Sequence, residues 1–138
     1  MKKIILAMVA VMVPLMLSAG STDFWFRHFS VEDGLSSSAV RAIMQDKYGF
    51  MWLGTDDGLN RYDGTTIKIY RLNPEGVNDY ISFLYDTTDR IWIGTGDGVY
   101  IYDYETENFE PFKLLTAKGD SIKTNVNHIA EDRDGNLW

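Results

Sequence analysis

Cysteine is absent from these 138 residues. No disulfide can staple the fold, no thiol can act as a nucleophile, and no lipid can be attached through a leader cysteine. Histidine is nearly as scarce. His28 and His128 are the only two, 100 positions apart, and neither belongs to a pair at metal-ligand spacing. Both read as surface or packed side chains. Positive charge is short as well, with 13 Lys+Arg against 20 Asp+Glu and a net charge of −7. Too few cations remain to neutralise a phosphate backbone, so nucleic acid is excluded as a partner, and the acidity reads as solubility. Catalytic patterns are missing too. Ser36-Ser37-Ser38 has no G-x-S-x-G elbow around it. Asp132-Arg133-Asp134-Gly135-Asn136 places its glycine too early for an EF-hand loop, and no glutamate follows. Asp56 and Asp57 are adjacent, and strand alternation would separate them. No catalytic residue, cofactor or metal is assigned.

The one long apolar run is at the start. Met1-Lys2-Lys3 precedes Ile4 to Leu17, broken only by Pro14, and Ser18-Ala19-Gly20 supplies small residues. This is the anatomy of a secretory signal peptide over 1–20, followed by export to the periplasm. The run is shorter than the ~20 residues a spanning helix needs. Loss of Lys2 and Lys3 with the leader leaves eleven basic against 20 acidic residues, a net charge of about −9. No membrane span and no amphipathic helix of useful length is visible after residue 20.

A tryptophan-centred pattern recurs instead. Val40 to Asp46, a short turn, and Met51-Trp52-Leu53-Gly54-Thr55 are followed by Asp56-Asp57-Gly58 and Leu59 to Asp63. The second copy runs from Tyr80 through Asp86 to Trp92, Gly94, Gly98, Tyr102 and Asp103. Trp52 and Trp92 stand 40 positions apart, and Asp46/Asp86, Gly54/Gly94, Gly58/Gly98 and Tyr62/Tyr102 keep that offset. A third copy begins at Val126 and carries Asp132 and Trp138. A period near 40 residues built of short strand-like runs points to an all-β propeller with four antiparallel strands per blade. The segmentation is 21–39 as an N-terminal ring-closing strand and turn, with Phe24 to Phe29 as that strand. Blades follow at 40–76 and 77–122, and 123–138 begins a third. The propeller is incomplete on this reading, and the chain taken alone is expected to aggregate or fold poorly and to bind no ligand.

Each recurrent residue has a physical task. Trp52, Trp92 and Trp138 sit mid-strand, where an indole can bury ~150–250 Å² between sheets. Gly54 and Gly94 leave room for a close backbone or ring. Gly58 and Gly98 supply hairpin turns. Asp46-Lys47-Tyr48-Gly49 and Asp132 to Gly135 read as type I turns, while Asp86 to Asp89 lacks the glycine. Val40 to Gln45 alternates only loosely, as a strand buried on both faces would. The linkers Arg71–Asp79, with Pro74-Glu75-Gly76, and Leu114–Asn125 vary most and are the better place to seek a ligand.

Phe29 to Ser36, followed by Val40 to Gly64, closely resembles the two-component regulator propeller repeat. The second repeat departs at Asp89-Arg90, where the first has Gly49-Phe50, and at Gly96 in place of Asp56. The resemblance implies the N-terminal periplasmic part of a hybrid two-component sensor, homodimeric at full length. Such sensors continue through further blades to a β-sandwich, a membrane helix and a histidine kinase, and respond to oligosaccharides. The chain is then the N-terminal piece of such a sensor and no enzyme. Two other classes fit a propeller: a lyase or hydrolase, which needs a histidine and metal-holding acids at the channel mouth, and a scaffold that binds an envelope protein.

Overall fold

A computed structural model describes residues 25–73 and 79–138. The leader and the Pro74-Glu75-Gly76 turn therefore lie outside the described residues. Eight strands form two four-stranded antiparallel sheets. The first sheet comprises β1 (Val40–Gln45), β2 (Met51–Thr55), β3 (Gly58–Tyr62) and β4 (Ile67–Tyr70). The second comprises β5 (Ile81–Asp86), β6 (Arg90–Thr95), β7 (Val99–Asp103) and β8 (Asn108–Phe112). Each sheet is a meander in which sequential neighbours pair, the architecture of a propeller blade.

The registers repeat as the sequence does. Trp52 lies opposite Met44 and Arg61, and Trp92 lies opposite Tyr85 and Ile101. Each first strand breaks register just after its opening residue, between Val40 and Ala42 and between Ile81 and Phe83. A third blade starts in the same way. Glu131 bridges Leu137, and Ala130 and Trp138 exchange backbone hydrogen bonds of 3.0 and 2.8 Å.

The core lies between the two sheets. Trp52, Leu59, Ile81, Ile91 and Tyr102 are buried there, with Tyr70 and Phe109 packed against them. The Trp52 ring sits 5.1 Å from Tyr102 and stacks 5.8 Å from Tyr70, and Tyr102 meets Phe109 at 4.9 Å. Strand β5 lies against β1 and β2, so the first strand of one blade seals the inner edge of its predecessor.

Two local readings change, and two further segments are defined. β1 is not buried on both faces: Arg41, Ile43 and Gln45 are exposed in alternation. One face meets β5, and among the described residues no sheet covers the other. The segment around Asp33 forms a 3-10 turn, Val31–Asp33, rather than a simple turn. Ser30 caps it through a reciprocal box with Asp33, and Gly34 ends it at φ 106, a conformation glycine adopts without strain. Residues 25–29 form no strand within the described residues, and Trp25 and Phe26 are exposed. The linker 114–125 is itself a small hairpin, with Leu115 bridging Ser121 and Ile122 N–H donating to the Leu114 carbonyl.

Candidate functional site

The repeat residues explain themselves as architecture. Asp46 is buried in the β1–β2 turn, where one oxygen accepts from the Tyr48 and Phe50 amides at 2.9 and 3.0 Å. Its other oxygen accepts the Trp52 indole N–H at 2.7 Å. Asp132 repeats the clasp, accepting from the Asp134 and Asn136 amides at 2.9 Å and from the Trp138 indole at 3.0 Å. Those bonds hold its carboxyl well below the usual carboxylate range, the indole contributing most. Asp86 has the same spacing to Trp92 but a different partner: it accepts from the Tyr104 hydroxyl at 2.8 Å. Gly49 and Gly135 close the clasped turns at φ 90 and 84, whereas Asp89 stands at that place in the second blade.

Gly54 and Gly94 face the neighbouring blade. A methyl group on Gly54 would lie 2.6 Å from Ile81 Cγ2, and one on Gly94 would lie 2.6 Å from the Val126 carbonyl oxygen. Gly58 turns at φ 118 and Gly98 at φ 154, as hairpin glycines. Tyr62 and Tyr102 are not equivalent in burial. Tyr102 is core, and its burial raises the phenol pKa. The Tyr62 hydroxyl accepts from Arg27 at 2.7 Å, and its ring meets Phe29 edge-on at 4.9 Å.

One end of the blades is polar. Asp56 accepts two hydrogen bonds from Arg41, at 2.8 and 3.1 Å, while Asp57 pairs with Arg71. The adjacent carboxylates therefore serve separate arginines and form no acid–base pair. Arg71 also lies 3.7 Å from Asp79, a buried carboxylate that accepts from the Leu72 and Asn73 amides at 3.0 and 2.9 Å. Nearby, fully buried Asn60 binds the Ser36 amide at 2.9 Å and its hydroxyl at 2.8 Å. That network fastens residues 30–36 onto the first blade.

Two hollows follow the blade boundaries. An apolar one of about 270 Å³ lies where the second blade meets the third, between Trp92, Phe112, Ile129 and Trp138. Trp92 stacks edge-on with Phe112 at 5.1 Å and is half-buried, and Trp138 is 79% exposed. Between the first two blades, Tyr102 and Phe109 pack against Trp52 at 5.1 and 6.4 Å, and the hollow lies at the equivalent place beside Trp92. The other is a polar cleft of about 420 Å³ at the turn end, lined by Lys47 and Tyr48 from the first blade and by Asp89, Arg90, Asp103, Tyr104 and Glu105 from the second. A space of about 310 Å³ adjoins it through Tyr48 and Tyr104 and reaches Phe50 and Arg61. Tyr48 and Tyr104 meet edge-on at 5.3 Å. The Lys47 ammonium lies 4.4 Å from the Tyr104 centroid and donates to the Thr88 carbonyl. Burial, then the Asp86 carboxylate, drive the Tyr104 pKa far upward, so its hydroxyl remains a donor.

His28 is exposed, and His128 packs edge-on with Phe83 at 4.8 Å. No group of three or more His, Asp or Glu side chains among the described residues is placed to hold a metal. Among those residues no helix is long and apolar enough to cross a membrane. Sequence reasoning passed over Tyr48, Tyr104 and Asn60, which are not recurrent. Their positions follow from turn lengths and blade packing.

Residues 34–57 and 121–138 match the family described as Two component regulator propeller. The chain is 56% identical over 59 residues to Histidine kinase P4 of Formosa agariphila, covering 43% of this chain and 4% of that protein. It resembles the extracellular domain assigned to the hybrid two component system BT3049 of B. thetaiotaomicron, with 31% identity and a TM-score of 0.69, over 81% of this chain and 17% of that one. The corresponding domain of BT4673 from the same organism shares the fold at 23% identity and a TM-score of 0.60, over 83% of this chain and 17% of that one. The chain thus spans a small part of the length of the proteins it matches. Recurrent Asp–Trp turns, glycines at each blade contact and these matches lead to one conclusion: residues 34–57 and 121–138 carry two-component regulator propeller repeats, and the described residues fold as blades of a β-propeller.

Proposed function

We propose that this chain forms the first part of the extracytoplasmic sensor propeller of a hybrid two-component histidine kinase, and that the complete sensor responds to an oligosaccharide. The observation that carries the reading is the likeness to an extracellular sensor domain at 31% identity over 81% of this chain. The basic start and apolar run of residues 1–17 agree with export. In this reading the chain contributes recognition and no chemistry. Residues 25–29 supply a closing strand to the finished ring, and the intact sensor acts as a dimer across the inner membrane.

The test is made in the host cell. Strains with the intact gene or a deletion are given defined oligosaccharides, and transcripts are compared. Induction by a particular saccharide that disappears in the deletion strain supports the proposal. A deletion strain that responds normally to every saccharide overturns it.

A further inference from the structure

The polar cleft between the first two blades lies where the second repeat stops copying the first. Asp89 and Arg90 replace Gly49 and Phe50, while Tyr104 and Glu105 replace Gly64 and Thr65. The turn between β7 and β8 is also the longer one. Tyr62 pairs with Ile67 across four residues, and Tyr102 pairs with Phe109 across six. Glu107 within it takes the left-handed backbone at φ 54, unusual for a residue with a side chain. Asp86 gives up its tryptophan to hold Tyr104. Residues that every blade repeats are architecture. Four substitutions and an insertion gathered at one cleft call for a local cause.

The lining has a definite chemistry. The Tyr48 ring is largely exposed, and Tyr104 beside it is fixed by Asp86. Among the described residues the side chains of Asp89, Arg90 and Glu105 make no hydrogen bond within the chain, and all three are exposed. Carboxylates accept hydrogen bonds from hydroxyl groups, a guanidinium donates to hydroxyl oxygens, and a phenol ring offers a face for C–H groups. A phosphate is disfavoured, because Asp89, Asp103 and Glu105 outnumber Lys47 and Arg90. A purely apolar ligand would strand these charges. At about 420 Å³, the cleft falls within the ~300–1,000 Å³ of small-molecule sites.

We infer that this interblade cleft is a subsite for a neutral sugar unit, which rests on Tyr48 and Tyr104 and is held at its hydroxyls by Asp89, Arg90 and Glu105. The inference rests on the sensor reading above and gives it a location.

The sensor propeller that contains these blades is titrated with cellobiose, xylobiose and laminaribiose, with inorganic phosphate alongside, and backbone amide NMR signals are followed. Shifts centred on Tyr48, Arg90 and Tyr104 are expected with at least one disaccharide. Tyr48→Ala and Arg90→Gln should each weaken that binding about tenfold or more, while Arg41→Ala, at the opposite end of the blade, leaves it unchanged. Both cleft variants alter exposed side chains, and their amide spectra report whether the fold is kept. Unchanged disaccharide affinity in both, shifts confined elsewhere, a response to phosphate alone, or no response to any disaccharide would each overturn the subsite. Saccharide-dependent induction in the cell would survive all four results if the sensor reading is right, so the two failures are separable.

Discussion

The Asp46 carboxylate holds the Trp52 indole N–H at 2.7 Å, six residues downstream, at the boundary between two blades. The same atom pair recurs between Asp132 and Trp138 at 3.0 Å. The ring is thereby oriented from within its own turn and presented to the next sheet. Trp52→Ala should lower stability by about 3–5 kcal/mol, as large-to-small core changes do. Trp138→Ala should change it by no more than about 0.5 kcal/mol, since exposed substitutions rarely do more. Urea unfolding midpoints of the full chain check both. Equal effects would show that burial by a neighbouring blade is not what stabilises the ring.

Gly54→Ala places a methyl group 2.6 Å from Ile81 Cγ2. Ile81 is fully buried and has little room to retreat. Overpacking of this kind costs about 1–3 kcal/mol. Gly94→Ala meets the Val126 carbonyl instead, beside the bond from Val126 N–H to the Thr95 carbonyl. Its expected effect is local: faster amide exchange at Val126, with little change at Ile81 to Asp86.

Asn60→Ala removes the fully buried amide that binds the amide and hydroxyl of Ser36. Leaving buried partners unsatisfied costs about 1–3 kcal/mol. Release of residues 30–36 should follow. Limited proteolysis should cut near Ser36 faster in the variant, with the two sheets retained.

The turn carboxylates set the acid limit. Asp132, Asp63 and Asp103 all lie below the ordinary 3.8, held down respectively by the Trp138 indole, the Thr66 amide and the Thr106 amide. A depressed folded pKa means the stabilisation is fully present above the unfolded value. It is lost as pH falls through the folded one. The turns should therefore begin to weaken below about pH 4 and open only as pH falls through the depressed folded values. Amide shifts of Asp134 and Asn136 report the transition at Asp132. In Asp132→Asn that acid-dependent step should vanish.

The blades were legible because their tasks fall on residue types with few other uses. Gly54 and Gly94 read as close-approach positions, and a methyl group on either would lie only 2.6 Å from an atom of the neighbouring blade. Strand boundaries followed from Asp and Gly turns. The Asp86–Trp92 spacing matches the clasped pairs, yet no clasp forms there. Spacing alone carries no information about the glycine that closes the turn or about a competing Tyr104. β1 misled because its loose alternation says nothing about how many sheets cover it. The polar cleft was invisible because it joins turns about 40 to 60 positions apart, and only the blade packing brings Lys47 to Thr88 and Tyr104.

The clasp also bears on how such a chain comes off the ribosome. Asp132 and Trp138 are bonded although, among the described residues, the indole is 79% exposed. In both turns the indole rotamer is set by contacts only six residues long. Domains fold from the N-terminus as they emerge, and short-range contacts form fastest. Each completed turn would thus act as a template, offering a preset ring against which the next forty residues condense. Growth of the propeller becomes a succession of short local steps, and the long-range event is confined to joining its two ends.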